Sequence, residues 1–87
     1  MDTDQKLTAI DEAIVREKRG AAREVYQEAW AEGVLEGIDT DILAETAMQT
    51  ALEETILEGG EHAALALLED LATRVKSGDF TLYKTLQ

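Results

Sequence analysis

The sequence predicts an all-α fold, and three observations carry that prediction. Proline is absent, so no residue is barred from a helical ladder. Ala, Leu, Glu and Ile dominate, and all but Ile are among the better helix formers. Large apolar residues recur at steps of three and four, the helical period rather than the alternation of a strand. The expected architecture is one domain over residues 1–87, a small bundle of three to four helices. An apolar C-terminal tail would pack on that bundle or on a second subunit.

The first helix is expected over about residues 4–19. Thr3 is a suitable N-cap, with Asp4 in the first turn. Leu7, Ile10 and Ile14 fall at i, i+3 and i+7, with Ala13 beside them, and make one apolar stripe. Lys18, Arg19 and Gly20 resemble a stop, two cations and then a glycine. Ala21-Ala22-Arg23 come next with no loop residues, so the alternative is one helix running on through Gly20, at a cost of about 1 kcal/mol.

The second helix is expected over residues 21–36. Ala22, Val25, Tyr26, Ala29, Trp30 and Gly33 share one broad face, expected inward, with Gly33 leaving room for a close neighbour. Gly37 suits the position just past the helix end, where Ile38 can fold back over the last turn.

A third helix should start at Asp39 or Thr40 and end at Gly59-Gly60. Its main apolar face is Ala44, Ala47, Met48, Ala51 and Leu52, while Ile42, Leu43 and Leu57 point elsewhere. Apolar residues on two sides suggest the central helix of the bundle. The fourth, residues 61–77, has the cleanest pattern. Ala64, Leu65, Leu67, Leu68, Leu71, Ala72 and Val75 fill one arc, and Gly78 ends it after Arg74 and Lys76. The tail then carries Phe80, Leu82, Tyr83 and Leu86. Termini are usually polar and loose unless tied down, so these four are expected to be at least half buried, against the bundle or as contacts to a second copy.

Charge is distributed in one block. The net charge is −11. Residues 24–73 hold thirteen acids and no Lys or Arg, the first 23 residues balance five acids against five bases, and the last fourteen are net +2. The block is rich in apolar residues at helical spacing, so it should fold rather than form a disordered acidic tail. Such a surface repels nucleic acid and anionic lipid, and no direct binding to nucleic acid or membrane is expected; it is drawn to basic protein surfaces.

Several chemistries are excluded or disfavoured. Without Cys there is neither a disulfide nor a thiolate metal site. No apolar run reaches the ~18 residues of a membrane span. The acidic start lacks the pattern of a signal peptide, and a cytoplasmic location is the expectation. His62, the only histidine, falls on a polar arc at a helix start, and Glu61 beside it faces another way. Asp39-Thr40-Asp41 opens like a calcium loop, but Leu43 falls where the next ligand would stand, and Ile42 and Ala44 interrupt the pattern. Neither Glu-x-x-His pairs nor phosphate loops nor a Gly-x-Ser-x-Gly turn are found. No enzyme, no catalytic residue, no metal and no cofactor are expected.

What remains is a patterned row, Glu24, Glu28, Glu32 and Glu36. Steps of four residues rise ~6 Å along a helix, close to the spacing of successive phosphates along a strand. Like charges at i, i+4 repel by a few tenths of a kcal/mol each, a cost that helix 2 does not offset internally. A solvated face of an acidic protein explains the row without any function. The functional expectation is a surface of Glu24, Glu28, Glu32, Leu35, Glu36, Asp39, Asp41, Glu45 and Glu53 that engages a basic partner. Leu35 lies among the acids, as an apolar residue at an interface core would. In its sharpest form the protein is a nucleic-acid mimic that inhibits a DNA- or RNA-binding protein. In composition it is similar to small phage-encoded inhibitors of nucleic-acid enzymes, an analogy carried by no motif. The alternative is a structural homodimer or assembly subunit joined through the tail and the helix faces.

Overall fold

The computed structural model describes the backbone of residues 2–81 and the side chains of residues 6–81. Among these residues the chain is helical and has no strand. It forms two long helices, α1 (Asp2–Leu35) and α2 (Thr40–Lys76), the second of them made of two arms that meet at Gly60, where three to four helices were expected. Chain contacts divide it into two units, Met1–Leu43 and Ala44–Gln87.

In the first unit, α1 passes through Gly20 without a break. The glycines with positive φ are Gly37, Gly60 and Gly78, and Gly20 is not among them. The Lys18-Arg19-Gly20 stop is therefore not used. Two alanines come immediately after it, and continuing the ladder costs about 1 kcal/mol, less than ending it with no loop to take over.

The end of α1 is specified locally. Gly37 has φ 86°, its N–H donates to Val34 O at 3.0 Å, and Ile38 N–H donates to Gly33 O at 3.1 Å. This pair of bonds is a Schellman cap, which satisfies carbonyls that the helix would otherwise leave open. Asp39 O accepts from Leu43 N–H at 3.0 Å, so Asp39 rather than Thr40 is the N-cap of α2. Leu43 lies against Gly33, where a Cβ would stand only 2.7 Å from Leu43 Cδ2. Gly33 is buried, and its missing side chain is what admits the leucine.

The rest of the face expected to point inward is exposed. Val25 and Trp30 are exposed, and Tyr26 is 73% exposed. Every described side chain from Lys6 to Glu32 is exposed. Helical periodicity identified an apolar face there, but none of the described residues covers it.

In the second unit α2 is interrupted at Gly60, with φ 83° and ψ 175°, a region essentially restricted to glycine. The expected break at Gly59-Gly60 is present: Gly60 leaves the helical region and divides α2 into two helical arms. Ala64, 4% exposed, is the one buried apolar residue among those described. Leu52, Ala63, Leu68 and Leu71 are half-buried. Met48 and Ile56 are exposed and Leu57 is 79% exposed, so the first arm of α2 is not sandwiched between neighbours as a central helix would be. A second Schellman cap closes α2, with Gly78 N–H on Val75 O and Asp79 N–H on Arg74 O, both at 3.0 Å.

Among the described residues, eighteen large apolar ones are exposed by between 39% and 87%. Burying what each leaves wet would contribute roughly 1 kcal/mol apiece, or on the order of 15–25 kcal/mol together. That exceeds the whole net stability of an ordinary domain, about 5–15 kcal/mol.

Candidate interaction surface

The acidic row is built from one helix and the turn at its C-terminal end. Glu24, Glu28 and Glu32 stand one turn apart on α1, and all three are exposed. Leu35 is the last residue of the helix and, at 87%, the most exposed large apolar side chain described. Glu36 lies just past it, its N–H still donating to Glu32 O at 3.0 Å. The Gly37 cap then fixes the backbone that carries Asp39 into α2. Asp41 sits in the first turn of α2, where a carboxylate is favoured by the helix dipole. Its Oδ1 accepts from Ile42 N–H at 2.9 Å.

These seven residues belong to the first unit. Glu45 and Glu53 belong to the second, where both are exposed and Glu45 Oε1 accepts from Gln49 Nε2 at 3.4 Å. The predicted surface is therefore assigned to two units, with most of it on the first.

The electrostatics are as uncompensated as the sequence implies. Two ion pairs occur among the described residues, and both use Arg74, to Asp70 at 3.8 Å and to Asp79 at 3.6 Å. None of Glu24, Glu28, Glu32, Glu36, Asp39 or Glu53 has an ion pair among them. Leaving this row unpaired on a rigid helix costs a few tenths of a kcal/mol per i, i+4 contact. Chemically the row can attract cations and basic groups.

His62 is exposed at the start of the second arm of α2. Among the described residues no group of three His, Cys, Asp or Glu side chains is arranged to hold a metal ion. No described helix is long and apolar enough to cross a membrane.

Sequence reasoning missed the cluster at the end of α2. The Arg74 guanidinium lies over the Phe80 ring, 4.7 Å from its centroid, while it also meets Asp70 and Asp79. The i, i+4 spacing of Asp70 and Arg74 and the glycine at position 78 were the signals that could have placed it. Of the four tail residues expected to be buried or at a subunit contact, Phe80 is 51% exposed. Leu82, Tyr83 and Leu86 lie outside the described residues. No family model, no curated protein and no solved structure matches this chain.

Proposed function

We propose that this protein is a non-catalytic interaction module whose acidic surface, centred on Glu24, Glu28 and Glu32, engages a basic surface of a partner protein. The observation that carries the reading is the unpaired state of the row: three carboxylates one helical turn apart, all exposed, none with an ion pair among the described residues, running up to an apolar Leu35 that is almost fully wet. A spaced row on a rigid rod steers encounter with a positive groove and fixes register within it. Leu35 supplies the apolar contact that such an interface needs at its centre.

In its finer form the groove belongs to a DNA- or RNA-binding protein and the module competes with nucleic acid for it. A cytoplasmic location is part of this reading. So is a bundle of three to four helices, closed over the exposed apolar faces by a partner or by a second copy. Salt discriminates the proposal from an apolar assembly. Affinity through the acidic row should fall steeply with ionic strength, whereas an apolar contact barely changes. Capture from the native cell and then a salt titration of the retained protein tests this. Retention that ignores salt would sink the proposal.

A further inference from the structure

We infer that the partner of the acidic surface presents an amphipathic basic helix, which lays an apolar ridge in a groove of α1 directly beside the acids. The inference rests on the acidic-surface reading and names the class of its partner.

Along a helix, residues four apart form ridges, and a low row between two ridges is a groove. Three such rows lie side by side near the end of α1. Glu28 and Glu32 make the first, continued by Glu36 just past the helix. Val25, Ala29 and Gly33 make the second. Tyr26, Trp30 and Val34 make the third. The middle row is low because Ala29 has one methyl group and Gly33 no side chain. Carboxylates wall it on one side and two aromatic rings on the other.

One end of this groove already shows what it accepts. At Gly33 it is filled by Leu43 from the first turn of α2, whose Cδ2 stands 2.7 Å from where a Cβ would be. The filling group is thus a leucine carried by a second helix. Toward the start of α1 the groove is open: Val25, Tyr26, Ala29 and Trp30 are all exposed. From Val25 to Val34 the helix rises ~14 Å, so a partner helix of three to four turns spans the open part and continues the line that Leu43 begins.

Charge decides whose helix this is. Residues 24–73 contain no Lys or Arg. A second copy laid on residues 21–36 would therefore bring one cation, Arg23, and four more glutamates to the four already there. Nucleic acid and anionic lipid are repelled outright. A helix with leucine-like groups on one stripe and Lys or Arg beside them fits both rows at once. Its apolar ridge covers Val25, Ala29 and Trp30, and its cations meet Glu28 and Glu32.

Trp30 is the only tryptophan, so the groove carries its own reporter. The probe is a dye-labelled helical peptide of about five turns made of Leu and Lys, with Leu at i, i+3, i+4 and i+7. Its control has the same composition rearranged so that no apolar stripe forms. The patterned probe should bind the full chain at least ~10-fold more tightly than the control by anisotropy. It alone should shift Trp30 emission to the blue and shield it from acrylamide. Val25→Asp with Ala29→Asp, shown helical by circular dichroism, should weaken the patterned probe ~10-fold or more. Attraction by charge alone would instead tighten on this more acidic variant. The comparison of the two probes needs only the native chain and stands even where the variant loses helix. Equal binding of both probes with no change at Trp30 would overturn this inference and leave the acidic-surface reading in place, whereas failure of both probes to bind would overturn the two together. Tighter binding to the helical variant, or a Trp30 already shielded in the free chain because the chain or a second copy closes the groove, would also overturn it.

Discussion

Gly60 holds α2 in a conformation that an L-residue resists, and replacing it isolates that effect. Nothing lies within 4 Å of where its Cβ would be, so Gly60→Ala introduces no clash and acts through the backbone alone. At φ 83° and ψ 175° an alanine carries about 1–3 kcal/mol of strain. In a straightened helix it would instead gain roughly 1 kcal/mol over glycine. The balance between kinked and straight forms should therefore move by about 2–4 kcal/mol, a factor of roughly 30–1,000. The native chain has no Cys, so spin labels on Gln49→Cys and Thr73→Cys, both exposed positions of α2, report the distance cleanly. An unkinked helix would place these positions ~36 Å apart. The native protein should read shorter, and Gly60→Ala should move the distribution toward that value with more helical circular dichroism. Gly60→D-Ala, whose mirror-image preference suits positive φ, should keep the native distance. If Gly60→Ala leaves both the distance and the melting temperature of the native chain unchanged, the kink is not set by the backbone preference of glycine.

The Arg74–Phe80 contact should yield a coupling of about 0.5–1 kcal/mol in a double-mutant cycle of Arg74→Ala and Phe80→Ala, read by denaturant melts; additive changes would mean that the ring does not feel the cation. Deleting residues 80–87 should lower the melting temperature or shift a dimer toward monomer, and a truncated chain that melts and sediments like its parent would contradict the expectation for the tail. A chelator should leave the melting temperature within a degree or so, because the sequence offers no Cys and only one His. A drop of several degrees would reveal a metal in the fold.

Sequence alone revealed the parts of this fold that local chemistry decides. Gly37 and Gly78 end helices where two carbonyls need an αL residue beyond them, and Gly60 breaks the ladder after a second glycine. Gly20 was ambiguous because a terminating glycine and an interior one look the same. Only the residues after it decide, and here Ala21 and Ala22 carried the helix on. Tyr26, Trp30 and Met48 show a different limit. Periodicity says that a face is apolar, but what covers the face depends on what packs there, and in the single chain these three stay exposed. The acidic row was fully legible, since its spacing and its lack of neighbouring bases are sequence properties that α1 displays unchanged. Arg74 was read only as a helix-end cation, because its partners Asp79 and Phe80 are brought round by the Gly78 turn rather than by helical spacing.

Charge reversal on α1 reaches the central claim most directly. Glu28→Lys with Glu32→Lys alters two exposed positions and should leave the helix folded, even slightly relieved of like-charge repulsion. Affinity for the captured basic partner should fall ~100-fold or more, as two attractive charge pairs become repulsive in a partly desolvated contact. Glu69→Lys, an exposed position on α2 outside the surface, should change it little. Nucleic acid should displace the wild-type protein from that partner. A partner that tolerates the double reversal, or that holds nucleic acid and this protein at once, would contradict the account and leave the row as a solvated face.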